Sequence, residues 1–167
     1  MDYFPVTIYQ KEPQFYPRVD DALRKAAIER GVEVRLLLSN WTDTRPAMLH
    51  YLQSLTAIDQ PDKNISVKGR YFQVPSNVSQ AKIPFARVNH NKYIVTDKEA
   101  LIMTSNWAAD YFLYTGGIGF GFKTSTESAL EHDAKGTGSL ARAEGIHKQL
   151  TGIFLRDWES PYATKDL

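Results

Sequence analysis

The sequence predicts an α/β fold, a mixed sheet sandwiched between helices, in one domain over residues 1–167. Three observations carry this expectation. Apolar residues recur at helical spacing in separated segments, and β-rich runs interleave with those segments along the chain. A chain of 167 residues, 43% hydrophobic and 23% charged, is long and apolar enough to bury a core of its own.

The elements follow in order. Val19, Leu23, Ala26 and Ala27, with Asp20 and Asp21 early and Gly31 at the end, predict a helix that starts near Pro17. Residues 32–39 read as a strand, and the run Leu36, Leu37, Leu38 favours a central strand buried on both faces. A second helix spans 46–58, with Pro46 in its first turn and Met48, Leu49, Leu52 and Leu55 on one side. Residues 64–74 alternate like a strand that Gly69 interrupts, and 75–82 form a polar loop. Runs at 88–96 and 100–105, separated by Asp97, Lys98 and Glu99, read as a hairpin. A short helix at 107–111, a Gly-rich strand at 116–122, a Gly/Ser/Thr loop at 124–138 and a closing helix at 140–158 complete the chain. Ile146, Leu150, Ile153 and Phe154 are the closing helix's expected inward residues.

Composition excludes several chemistries. With no cysteine there is no disulfide framework, no zinc-thiolate site and no thiol nucleophile. Lys and Arg total 20 against 19 Asp and Glu, so phosphate recognition must come from a local cluster and not from a global field. No apolar run approaches the ~20 residues of a spanning helix, and Met1-Asp2-Tyr3-Phe4-Pro5 has neither the basic nor the apolar part of an export signal.

The chemistry concentrates at residues 88–106. On a strand at 88–96, a period of two puts Val88, His90, Lys92, Ile94 and Thr96 on one face. A half-buried ammonium there calls for an anion, with a solvated edge strand as the plain alternative. Thr104, Ser105 and Asn106 at the end of the neighbouring strand would add two hydroxyls and an amide, which with Lys92 make a phosphate cradle.

The arrangement His90-x-Lys92-x4-Asp97, followed by Met103-Thr104-Ser105-Asn106, resembles the H-x-K-x4-D signature of the phospholipase D superfamily with its trailing G-[ST]-x-N. Residues 1–5, 29–32, 34–37, 83–93, 104–107, 110–112 and 154–158 are similar to the C-terminal half of the animal phospholipase D types three and four. That resemblance implies a metal-independent phosphodiesterase without cofactor, a 5′-to-3′ exonuclease on single-stranded nucleic acid, with phospholipid phosphodiesters as a further substrate class. It implies that two such motifs meet at one site. One histidine forms a phosphohistidine, and the other protonates the leaving oxygen and then activates water. Carried over, His90 is one of the pair, with the nucleophile unassigned between the two. Lys92 and Asn106 bind non-bridging oxygens, Thr104 or Ser105 assists, and Asp97 orients local structure.

One motif is half a site. The expectation is therefore a partner: either the N-terminal half of a two-motif enzyme, of which this chain is the C-terminal half, or a second copy of the chain. Where the family has glycine before Thr104, this sequence has Met103, which either crowds the phosphate or repacks the sheet. A non-catalytic phosphate- or nucleic-acid-binding module is the competing expectation. His50, His132 and His147 read as structural or solvated. Tyr93, Trp107, Tyr111 and Phe112 are candidates to stack bases, with core packing as the commoner role. Sequons at Asn40, Asn64 and Asn77, with the resemblance, point to glycosylation in a lysosomal or other lumenal setting, provided something outside these residues directs export.

Overall fold

The structure, a computed structural model, describes residues 1–123 and 139–164, without the side chains of 139–144. The expected loop at 124–138, with His132, lies outside the described residues. Strands and helices interleave along the chain, as the α/β expectation requires, and the strands form several small sheets. The chain divides into two compact units. The first comprises Met1–Asn91, Asn106–Gly116 and Ser160–Leu167; the second comprises Lys92–Ser105 and Gly117–Glu159.

In the first unit, β1 (Tyr3–Phe4) pairs in parallel with β6 (Trp107–Ala108). Strand β2 (Val34–Ser39) pairs in parallel with β3 (Val67–Phe72), which pairs antiparallel with β8 (Ala163–Thr164). Two helices supply the core on one sheet face: α1 (Arg18–Arg30) and α2 (Pro46–Thr56). Ala27, Leu52 and Leu55 pack there with Val34, Leu36, Leu38, Val67 and Tyr71. Helix α1 ends as its sequence demands, on Gly31 in the left-handed conformation at φ 62°. Within its first turn, Asp20 accepts hydrogen bonds from the buried Tyr3 phenol and from Arg24, the latter at 2.6 Å. Burial and the Asp20 carboxylate raise the Tyr3 phenol well above its ordinary pKa. Helix α3 (Ala109–Leu113) follows β6, so the expected helix at 107–111 begins two residues later, after a short strand.

Two expectations about this sheet are corrected. Strand β2 lies at the end of the order β2-β3-β8 among the described strands, so β3 is the central one. The alternation decides this: Arg35 is exposed and Leu37 only half-buried, so the Leu36-Leu37-Leu38 run buries one face, not two. Arg35 and Lys68, neighbours in the register, instead pair with Glu33 at 2.9 and 3.2 Å. Gly69 does not interrupt β3. It sits opposite Leu36, where a Cβ would come within 2.7–2.8 Å of three Leu52 side-chain carbons, so glycine lets α2 approach the sheet.

In the second unit, β4 (Tyr93–Val95), β5 (Glu99–Met103) and β7 (Gly119–Lys123) form an antiparallel sheet in that order. Helix α4 (Ser139–Glu159) packs on this sheet, and Nε2 of His147 lies 2.7 Å from the Thr96 carbonyl oxygen, a structural role for that histidine. The hairpin is observed, but its first strand is shorter than expected. Residues 88–92 are irregular backbone, because Arg87 adopts φ 59° and the Asn89 carbonyl is taken by the Ser39 hydroxyl. The ladder starts at Lys92, whose carbonyl accepts from Met103 N–H at 2.9 Å.

Candidate active site

Because residues 88–92 are not a strand, the period of two does not place His90 and Lys92 on a common face. His90 is exposed and belongs to the first unit; Lys92 is 7% exposed and belongs to the second. The chain passes between units at residues 91–92 and again at 105–106, so Asn106 belongs with His90, and Thr104 and Ser105 with Lys92.

Within the first unit, the segment that delivers His90 is fixed from below. The buried Ser39, at the C-terminal end of β2, donates its hydroxyl to the Asn89 carbonyl. Sequence reasoning did not single out Ser39. The available signal was its place at the carboxyl end of a parallel strand, where α/β sheets bind ligands. Asn106, 8% exposed, immediately precedes β6, and its Oδ1 accepts from the Asp2 N–H at 3.2 Å. A backbone N–H can only donate, so this bond sets the amide orientation and leaves Nδ2 as a donor. Asp110, expected only as part of the resemblance, is buried and holds the Ile8 and Tyr9 N–H groups at 2.6 and 3.3 Å.

Within the second unit, the hydroxyls of Thr104 and Ser105 differ. Thr104 is engaged with Ile118: its Oγ1 accepts from the Ile118 N–H at 3.2 Å, and its own N–H donates to the Ile118 carbonyl at 3.2 Å. Ser105 is half-buried with no such tie. Gly117 makes room for both, because a Cβ there would lie 2.6 Å from Ser105 Oγ and 3.0 Å from Thr104 Oγ1. Met103 pairs with Gly119 across β5 and β7, and a Cβ at 119 would stand 3.7 Å from that of Met103. The bulk at 103 is thus matched by absence of bulk opposite. The turn at 96–99 is tied by Thr96, whose Oγ1 accepts from the N–H groups of Lys98 and Glu99 at 3.3 and 3.0 Å, while Asp97 is exposed.

Tyr93, directly after Lys92, has its phenol pushed up to about 12 by burial, with the Asp157 charge adding and Arg156 opposing. Asp157 is itself buried, 2.6 Å from the Arg156 guanidinium. Of the other aromatic candidates, Trp107 and Tyr111 pack against core clusters, and Phe112 stays 42% exposed, stacked on Tyr16 at 5.4 Å. His50 is exposed on α2, 3.3 Å from Gln53. Among the sequon asparagines, Asn40 is half-buried and Asn64 and Asn77 are exposed.

A family model described as "PLD3/4, PLD-like domain" matches residues 1–77. Across 163 residues, 98% of the chain, it is 40% identical to human "5'-3' exonuclease PLD3" and 43% identical to mouse "5'-3' exonuclease PLD4". Identity to the Xenopus tropicalis "5'-3' exonuclease PLD3" is 42% over the same length. Over nearly its whole length the chain is similar to phospholipase D-like proteins. It spans about 30% of the length of these curated relatives. The phospholipase D-like match to the family model ends before His90, whereas the pairwise similarity runs on through the H-x-K segment and α4. Among the described residues, no helix is long and apolar enough to cross a membrane.

Proposed function

We propose that this chain supplies one half of a metal-independent phosphodiesterase site, the C-terminal half of a two-motif enzyme, that acts as a 5′-to-3′ exonuclease on single-stranded nucleic acid. His90 is one of two histidines that share the phosphohistidine chemistry. Lys92 and Asn106 hold the non-bridging oxygens, Ser105 assists, Thr104 supports Ser105 through its tie to Ile118, and Asp97 keeps to the turn. The second imidazole comes from another phospholipase D-like half or from a second copy of this chain.

The observation that carries this reading is the orientation of Asn106. Its acceptor is consumed by Asp2 and its donor is left over, which is what an oxyanion needs from an amide. Lys92, 7% exposed, is the motif's cation, two residues after His90. The names of the relatives supply the nucleic-acid class and the polarity. Met103 faces Gly119 across β5 and β7, which supports the reading in which its bulk repacks the sheet. The lumenal setting and glycosylation at Asn40, Asn64 and Asn77 belong to the same proposal, with Asn64 and Asn77 favoured by exposure.

The test is to supply the chain with a second H-x-K half and offer labelled single-stranded oligonucleotides beside phospholipid phosphodiesters. Stepwise release from the 5′ end supports the proposal. Release from the 3′ end, or turnover of lipid alone, contradicts it.

A further inference from the structure

A cleft of about 170 Å³ lies in the first unit, between residues 41–43, which follow β2, and residues 81–86. That is smaller than the roughly 300–1,000 Å³ of a drug-sized ligand site and suits a single flat ring. Its position beyond the carboxyl end of a parallel strand is where α/β sheets take ligands. Trp41 and Phe85 both line it.

Phe85 is the unusual member. It is 84% exposed and holds φ 55°, a left-handed conformation that a bulky side chain rarely adopts. Such conformations persist only where the surroundings impose them, and they gather at ligand sites. Here the surroundings do so: Arg87, itself at φ 59°, donates its guanidinium to the Pro75 carbonyl, and Ser39 holds Asn89. Phe85 lies in the 75–87 segment that the Arg87–Pro75 bond closes, and it presents its ring to solvent. Among the lining residues, Lys82 carries a positive charge and Asp43 a negative one. His90 follows Phe85 by five residues, at most about 18 Å of extended chain. A strand with its phosphate at His90 thus has its bases within reach of the cleft.

We propose that Phe85 and Trp41 form a stacking slot for one nucleobase of the single-stranded substrate, next to the phosphate handled at His90. Stacking reads the π-face that every base shares, so the slot is tolerant of base identity. The inference rests on the nucleic-acid reading above and adds the residues that seat the base.

The test measures binding of a fluorescein-labelled single-stranded oligodeoxynucleotide to the full chain by anisotropy. Phe85→Ala is expected to weaken binding about 5- to 150-fold, the usual range for losing one base–aromatic contact. Phe85→Trp restores it, and an abasic site in the strand lowers wild-type affinity by a similar factor without adding to the loss in Phe85→Ala. Because Phe85 is exposed, the alanine variant keeps the wild-type melting temperature. Binding that depends on Lys92 but ignores Phe85 overturns the slot while leaving the phosphodiesterase reading in place. No strand binding at all overturns both. Phe85-dependent binding to phosphatidylglycerol vesicles, with none to the oligonucleotide, overturns the slot in favour of a membrane contact.

Discussion

The side-chain carbonyl of Asn106 accepts the backbone N–H of Asp2 at 3.2 Å, and Asp2 in turn accepts the Trp107 N–H at 2.9 Å through its own carbonyl. The start of the β1–β6 pairing is thus the device that orients the amide. Asn106→Asp keeps an acceptor for Asp2, removes the donor and adds a negative charge that repels the phosphate. With a complementing half present, this change is expected to lower turnover by about 10²–10³-fold, the usual cost of losing one oxyanion donor. Steady-state cleavage checks the rate, and a melting temperature within a few degrees of wild type checks that the fold survives.

Gly117 is expected to be indispensable for the hydroxyl pair. Gly117→Ala places a methyl 2.6 Å from Ser105 Oγ and 3.0 Å from Thr104 Oγ1, so one of them must move. Overpacking of this kind costs about 1–3 kcal/mol. A second change, Ser105→Ala, relieves the closer contact and recovers part of the lost stability in chemical denaturation.

Gly69→Ala tests packing in the first unit. Its methyl would meet three Leu52 carbons at 2.7–2.8 Å, forcing α2 away from β3, at a cost of about 1–3 kcal/mol. Leu52→Val in the same chain is expected to return part of that loss, which a double-mutant cycle reads as non-additivity.

Alkaline stability follows from one buried and one half-buried phenol. Burial pushes Tyr71 up to about 12, and Tyr93 likewise, against an ordinary value of 10.0. A raised folded-state pKa means that stability is intact below pH 10 and drains away between pH 10 and about 12, as the unfolded phenols ionise first. For Tyr71 alone the full loss is about 2–3 kcal/mol. Urea melts at pH 8 and pH 11 show it, and Tyr71→Phe is expected to be less sensitive to the change.

Much of this was legible in the sequence where the signal is local. Gly31 announces the end of α1, Pro46 the start of α2, and the spacing of Met48, Leu52 and Leu55 its buried side. What failed to show are effects that depend on partners distant in the chain. Gly69 looks like a defect in β3 until Leu52 is seen above it, and β1 and β8 are two-residue strands that exist only through pairing. Residues 88–92 have the alternation of a strand, but Ser39, fifty residues earlier, takes the carbonyl that a ladder would use. The candidate residues themselves were readable as a motif. Which hydroxyl is free, and which way the amide faces, were not, because Ile118 and Asp2 decide them.

The central claim is that His90 takes part in metal-independent phosphoryl transfer. It is tested most directly by single-stranded oligonucleotide cleavage in excess chelator, by the chain with a complementing H-x-K half, comparing wild type with His90→Ala. The account predicts cleavage unaffected by chelator and lost with His90. Cleavage that chelator abolishes, or that His90→Ala leaves at the wild-type rate, contradicts it.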